Sequence, residues 1–376
     1  METAETRRLS NLRVHELLVV IPHFPIAQDT GESITKYPVL VKKLNLFRKH
    51  FRECVCITGT IGKSRITRED GLTEIALDFS NPYAYVFRFI LTYLTLMLRI
   101  RKKCVTISFN VGTYVLPSAL ITRILRSQFV MYMVSPLQFG SGLIRSIRLK
   151  LLLSLSNFVI VLTPQMAMKT YRVFPRKPTL LLPNWSDNSY RDLGLRRTPN
   201  TLLYVGRLSS EKRIDLLLGA MKIVASELVD ARLYIVGDGS DAAKLKQLSE
   251  RMRIEEKCEF LGWLGSEKVN KYYNTCELFV FPSPVEYFPN VLIEAMASGI
   301  PVVTVKNDSY KWIIDGAGVF CQPDSNSLAE GILEALCSQN RMAEMKKACI
   351  QADLRMRHIL NRQLRQLDAL LNRQES

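Results

Sequence analysis

Short apolar runs recur along the chain, and each ends in a glycine, a proline or a polar loop. In the first half the runs cover residues 17–21, 54–58, 104–109, 129–134 and 158–162. In the second they cover 201–205, 233–236, 259–262, 277–281 and 301–305. Runs of this length bounded by turn residues predict buried strands. Between them lie stretches of helical period, at about 34–48, 117–126, 141–155, 244–253, 267–274 and 291–297, and the chain from 325 onward reads as helical. Strands alternating with helices through both halves predict two doubly wound parallel-sheet domains. Residues 175–183, with prolines at 175, 178 and 183, mark the passage between them. We therefore divide the chain into a first domain over 1–178, a second over 179–350, and a basic amphipathic helix over 351–376.

Composition agrees with a folded two-domain protein. Of 376 residues, 47% are hydrophobic and 23% charged, enough for two cores and unlike a disordered chain. The eight cysteines are scattered, mostly inside apolar runs, with no CxxC or Cys/His spacing. They read as buried thiols of a reducing cytosol. Residues 1–13 are polar and lack the apolar core of a secretion signal, so a cytoplasmic protein is expected. Arg88 interrupts the apolar stretch at 85–99, and the longer runs at 104–122 and 151–168 are broken by proline and polar residues, so no spanning helix is expected.

Charge changes the picture more. The net charge is +16, and all of it lies in residues 1–180, where 26 Lys and Arg face 10 Asp and Glu; residues 181–376 carry 25 of each sign. A basic half implies an anionic partner, either a membrane surface, a phosphate-bearing substrate or nucleic acid; a merely solvated basic surface is the alternative. Residues 141–155, SGLIRSIRLKLLLSL, set Arg145, Arg148 and Lys150 near one side of a leucine-rich helix. Two readings stand for it: a helix lying on anionic lipid, or a packed helix with its basic face in water.

The candidate chemistry centres on residues 281–303, FPSPVEYFPNVLIEAMASGIPVV. A strand ends before Pro282, and a helix opens after Pro289, so Glu286 falls in a strand-to-helix loop and Glu294 in the first turn or so of the helix. At the carboxyl end of a parallel strand, such a loop faces the crevice where open α/β folds bind ligands. Two carboxylates there can take hydroxyl donors, while free N–H groups at a helix start can take a phosphate. About 80 residues earlier, the strand at 201–205 leads into Gly206-Arg207-Leu208-Ser209-Ser210-Glu211-Lys212, which offers two cations. Gly237 and Gly239 follow the strand at 233–236, and Gly262 ends the strand at 259–262.

These stretches resemble the glycosyl transferases group 1 domain of GT-B, family 4 type retaining glycosyltransferases. The usual signature, close to PS-x-x-E-G-F-P-x-V-x-x-E-A-M-A-x-G-x-P-V-V, is matched throughout except that Tyr287 replaces its glycine; GRLSSEK resembles G-R-x-x-x-x-K, and Val236 to Gly239 resembles V-G-x-G. The resemblance is specific over about 184–319 and holds only in outline before that.

It implies a GT-B fold of two Rossmann-like domains with an interdomain cleft, and transfer of a hexose-type sugar from a nucleotide diphosphate sugar to a hydroxyl acceptor on a glycan or lipid-linked glycan. By the same resemblance Arg207 and Lys212 clamp the diphosphate, Glu286 takes the sugar hydroxyls and Glu294 the ribose. Gly206, Gly237 and Gly262 line the donor, with Gly262 at the base. Phe288, Asn290, Val291 and Leu292 offer backbone N–H groups, which Pro289 cannot. Gly31 stands where relatives carry a glycine pair near donor and acceptor. Where relatives often place a histidine, this chain reads Met133-Val134-Ser135-Pro136, which fits deprotonation of the acceptor by the leaving diphosphate. No D-x-D motif occurs, so no catalytic metal and no cofactor is expected, and the paired carboxylates bind donor instead of acting as a glycosidase acid and base. Two other classes stay open. Ser135 and Tyr287 motivate a GT-B scaffold that has lost transfer, and the basic charge motivates a nucleic-acid binder, although no recognition module accompanies it.

Overall fold

The structure is a computed structural model that describes residues 15–21, 43–47, 51–60, 64–69, 72–78, 80–99, 104–109, 114–134, 143–186 and 189–372. The chain forms two compact units, Met1–Leu181 with Gln363–Ser376, and Leu182–Arg362.

In the first unit the strands are β1 (His15–Ile21), β2 (Phe51–Thr60), β3 (Arg65–Glu69), β4 (Leu72–Asp78), β5 (Cys104–Ser108), β6 (Gln128–Met133), β7 (Phe158–Val161) and β8 (Thr179–Leu181). They form one sheet in the order β3-β4-β2-β1-β5-β6-β7-β8, parallel except for β3. Helices α1 (Pro82–Arg99), α2 (Val115–Ile124), α3 (Leu143–Leu155) and α4 (Pro164–Val173) provide the crossovers from β4 onward. Strands β5, β6 and β7 are buried at every position, as strands covered on both faces must be. The inner face of α1 repeats Tyr85, Phe89, Tyr93 and Met97 at four-residue spacing. The Tyr93 hydroxyl bonds the buried hydroxyls of Thr106 on β5 and Thr122 on α2, tying helix, strand and helix together. Thr163 caps α4 by accepting from the Met166 amide, and Pro164 fills the first helical position.

Several features of this unit depart from the sequence reading, helices α1 and α4 among them. Strands β3 and β4 were not anticipated, because Glu74 interrupts the apolar pattern of β4; there Thr58 and Thr67 donate to its carboxylate. Charged β3 is the antiparallel edge, where cations guard an open strand. Strand β8 lies within the stretch taken as a passage. Helix α3 falls in the stretch expected to be helical; it packs Leu149, Leu152 and Leu153 inward and leaves Lys150 exposed, and the Arg145 side chain lies outside the described residues.

The second unit contains β9 (Thr201–Val205), α5 (Ile214–Glu227), β10 (Arg232–Val236), α6 (Ala242–Arg251), β11 (Cys258–Gly262), α7 (Ser266–Thr275), β12 (Leu278–Phe281), α8 (Asn290–Ala297), β13 (Val302–Val305), α9 (Asp308–Ile314), β14 (Gly318–Cys321), α10 (Ser325–Cys337) and the long α11 (Gln339–Asn372). Its sheet is wholly parallel in the order β11-β10-β9-β12-β13-β14. Successive strands are added outward from β9 on one side and from β12 on the other, so the loops after β9 and β12 diverge and leave a crevice between them. From Gln363 onward α11 belongs to the first unit, where Leu367 and Leu371 are buried and the Gln128 side-chain amide donates to the Leu371 carbonyl.

The polar segment before β9 is a brace. The Arg191 and Leu193 amides donate to the side-chain oxygens of Asn270 and Asn274 on α7. Arg197 donates to the carbonyls of Tyr273 (2.5 Å) and Cys276 (2.7 Å) at the end of α7 and of Ser298 (2.9 Å) at the end of α8. Burial lowers its pKa, opposed by the charge of Asp192. One guanidinium thus fixes α8 from its C-terminal end, using a fork of donors that a lysine cannot reproduce. Arg197→Ala is expected to destabilise the protein by about 2–4 kcal/mol by leaving three carbonyls without their donor, and Arg197→Lys to restore less than half of that loss. Urea unfolding midpoints followed by fluorescence would check both values.

Candidate active site

The β9 run ends at Val205 because Gly206 turns the chain; its N–H donates to the Val236 carbonyl of β10 at 3.0 Å. The Gly237 N–H in turn donates to the Gly262 carbonyl at the end of β11 at 2.8 Å. Three glycines from neighbouring strand ends therefore form one stitched row. Gly237 has φ +135°, and a Cβ there would lie 1.9 Å from the Gly206 carbonyl oxygen. No other residue fits without moving the backbone of the next loop.

Beyond Gly206 the loop runs to a 3-10 turn at Ser210–Lys212, and Arg213, in the left-handed region, starts α5. On the other side of the crevice, β12 ends at Phe281 and Pro282 opens the loop to α8. Lys212 and Glu286 meet across these two loops in an ion pair between Nζ and Oε1, with side chains only 16% and 27% exposed. A second link joins the same loops where the Ser283 hydroxyl donates to the Glu211 carbonyl at 3.4 Å.

Three buried tyrosines hold these groups from behind. Tyr204 donates to the Arg207 carbonyl at 3.1 Å, Tyr310 to the Ser283 carbonyl at 2.9 Å, and Tyr273 to the Val291 carbonyl and to Glu294 Oε2, both at 3.3 Å. Burial raises all three phenol pKa values, and the nearby carboxylates add to it, Glu286 for Tyr204 and Tyr310 and Glu294 for Tyr273. The hydroxyls therefore remain protonated donors near neutral pH. Sequence reading missed all three because each partner is remote in sequence or belongs to the backbone.

Of the expected site residues, Lys212 and Glu286 are brought into contact. The Arg207 side chain is exposed beside them in sequence, and it contributes to lowering the Glu211 pKa after the Ser209 hydrogen bond and Lys212. Glu294 is half-buried on α8 against Tyr273. Phe288 is buried edge-on to Trp312, and Arg355 lies over the Trp312 ring. The Asn290 side chain accepts from Asn184 at 2.8 Å. The Leu292 N–H is occupied by the Pro289 carbonyl at 3.2 Å, so Asn290 and Val291 head the helix. Tyr287 has no positive φ, and the loop runs past it without needing the glycine of the usual signature. Gly31 and Ser135 lie outside the described residues.

A two-unit chain whose second parallel sheet reverses between a cationic loop and a carboxylate loop has the architecture of the GT-B glycosyltransferases. Residues 186–352 match the family model "glycosyl transferases group 1", a stretch that falls within the second unit. An uncharacterized glycosyltransferase of Haemophilus influenzae is 34% identical over 148 residues, 39% of this chain and 37% of the relative. The chain spans less than half the length of the first curated relatives it matches. Among solved structures, a sucrose-phosphate synthase of Thermosynechococcus elongatus superposes with a TM-score of 0.72 at 20% identity, covering 96% of this chain and 99% of that one. The pneumococcal O-GlcNAc transferase, solved with UDP and GlcNAc, gives a TM-score of 0.72 at 13% identity over 95% of this chain and all of the other.

The glycine row makes the site's backbone a stability determinant. Gly237→Ala is expected to cost about 3 kcal/mol or more through its clash with the Gly206 carbonyl and the strained φ. Thermal unfolding of the variant against Gly265→Ala, where a Cβ meets nothing within 4 Å, would check it.

Proposed function

We propose that the chain is a retaining glycosyltransferase that moves a hexose-type sugar from a nucleotide diphosphate sugar to a hydroxyl of a glycan or lipid-linked glycan on the cytoplasmic side. The observation that carries the reading is the meeting of Lys212 and Glu286. They come from motifs 74 residues apart and from the loops of the two strands between which the sheet reverses, the place where open α/β sheets hold ligands.

In this reading the donor's diphosphate lies against Lys212 and Arg207 and the N–H groups heading α8, while Glu294 takes the ribose and Glu286 the sugar hydroxyls. As the anomeric C–O bond breaks, negative charge grows on the diphosphate, where fixed cations stabilise it most. The acceptor oxygen forms the new bond on the same face, and its proton passes to an oxygen of the departing diphosphate. Glu286 serves binding and orientation, because its oxygen is engaged by a lysine and no second carboxylate is needed for proton transfer. Arg207 and Lys212 meet the diphosphate charge in this scheme, so transfer is expected to persist after chelation of divalent metal. The UDP in the pneumococcal structure supports a nucleoside diphosphate as the group bound.

A thermal-shift screen of nucleotide sugars identifies the donor, since a ligand of the native state raises its stability. With that donor, Lys212→Ala and Glu294→Ala are each expected to lower kcat/KM by about a hundredfold or more, the scale of losing one electrostatic contact to a transition state. Wild-type turnover in both variants would overturn the site assignment. Nucleotide binding with neither transfer nor hydrolysis in the wild type would favour a scaffold that has lost its chemistry.

A further inference from the structure

The first unit carries a surface that the transfer reading does not use. Between residues 79 and 186 the chain has 14 lysines and arginines and not one aspartate or glutamate. That span contains α1 to α4. The crossovers from β4 to β5, β5 to β6 and β6 to β7 all run in the same direction along the sheet, so their right-handedness puts α1, α2 and α3 on one face. Helix α2 packs against both of its neighbours in that layer.

The outward side of this layer is apolar as well as basic. Helix α1 buries Tyr85, Phe89, Tyr93 and Met97, yet Tyr83, Phe87, Leu91 and Leu98 line its opposite side, with Tyr83 88% and Phe87 69% exposed. A helix apolar all round normally has partners all round. On α2 the exposed pair Leu120 and Ile124, the latter 77% exposed, flanks Arg123. On α3 the exposed pair Ile147 and Leu151 flanks Lys150. The same device thus recurs on consecutive helices, apolar residues four apart with a cation between them. Arg88 on α1 is paired with Asp78, whose oxygen lies 3.5 Å away. Positive charge is crowded at the layer's edge: Lys177 donates to the carbonyls of Ser154 and Ser156 at the end of α3, and its pKa is lowered by burial and then by Arg123.

We propose that the outer face of α1, α2 and α3 docks on an anionic lipid bilayer, with Arg123 and Lys150 at the phosphates and Phe87, Leu91 and Ile124 entering the headgroup boundary. An anionic surface matches three helices that carry no carboxylate of their own, and the boundary region takes the apolar side chains that a purely polar polyanion would leave in water. A second copy of the chain is a poor occupant, because two such faces repel each other. The surface lies on the membrane and does not cross it, since no helix among the described residues is long and apolar enough to span. Docking of this kind is independent of transfer and of the residues assigned to it.

The test is sedimentation of the full chain with vesicles of phosphatidylcholine alone or carrying about one third phosphatidylglycerol, at moderate salt. The wild type is expected to pellet with the anionic vesicles and not with the neutral ones. Phe87→Asp with Ile124→Asp, and separately Arg123→Gln with Lys150→Gln, should each weaken binding about tenfold or more, since each near-surface cation is worth about a fivefold change. Lys222→Gln with Lys244→Gln, exposed on the charge-neutral half, should bind as the wild type does. Every substituted side chain is exposed or half-buried, and unchanged circular dichroism and melting confirm the fold. No pelleting by the wild type, or full pelleting by both paired variants, would overturn the proposal. A concentration-dependent dimer in light scattering, abolished by Phe87→Asp with Ile124→Asp, would overturn it in favour of a second copy if vesicles are not bound. Salt-resistant binding to duplex DNA that needs Arg123 and Lys150 but neither Phe87 nor Ile124 would overturn it in favour of nucleic acid.

Discussion

The ion pair between Lys212 and Glu286 can exist only because the second sheet reverses its winding between β9 and β12. In a parallel sheet wound one way throughout, the loops after adjacent strands would lie on the same side and each would be covered by its own helix. Reversal separates the helices α5 and α8 and lets two loops that are far apart in sequence share one space. Everything else in the second unit that bears on the site is an adjustment around that geometry. The glycines at 206, 237 and 262 let the neighbouring strand ends close ranks, and Pro282 and Pro289 stop β12 and start α8 without drawing the loop into either element.

An ion pair at a partly exposed crevice stabilises little by itself, on the order of 1 kcal/mol or less. Its position must therefore be set by groups that are better buried. Tyr204, Tyr310 and Tyr273 do this from beneath, each donating one hydroxyl upward to a backbone or carboxylate oxygen of the site. Arg197 does it from the far end of α8, where one charge serves three carbonyls. The division of labour is physical. The paired charges of the crevice stay partly exposed, while neutral hydroxyls and one enclosed guanidinium supply rigidity.

How much of this was legible follows from the range of each interaction. Residues 281–303 declared strand, loop and helix because the proline pairs, the apolar run and the helical period are local signals, and Glu286 and Glu294 fell where that reading put them. GRLSSEK was equally local, and its lysine indeed reaches the second motif. Residues 186–200 show only a polar composition in sequence, because their partners Asn270, Asn274 and Ser298 come about 80 to 100 residues later and nothing in their own pattern announces them. The tyrosines were invisible for the same reason; a tyrosine inside an apolar strand or helix reads as core until its hydroxyl is located. Strand β4 was hidden by Glu74, whose buried carboxylate accepts from threonines of the neighbouring strands.

The distribution of charge follows from the same contrast between local and long-range forces. The half that holds the candidate site for an anionic ligand is neutral overall, with 25 charges of each sign, and the half that holds the surplus has none of these site residues. Recognition of a diphosphate needs two or three groups held at hydrogen-bond distance, where geometry decides the energy and net charge counts for little. A surplus of 16 charges spread along 180 residues acts differently. Its field extends about one Debye length, roughly 10 Å at ordinary salt, and so it can favour only something broad, flat and close. Evolution of the ligand site gives no reason to exclude every carboxylate from residues 79–186, nor to leave Phe87 and Ile124 in water. An extended anionic surface with an apolar layer beneath it accounts for both.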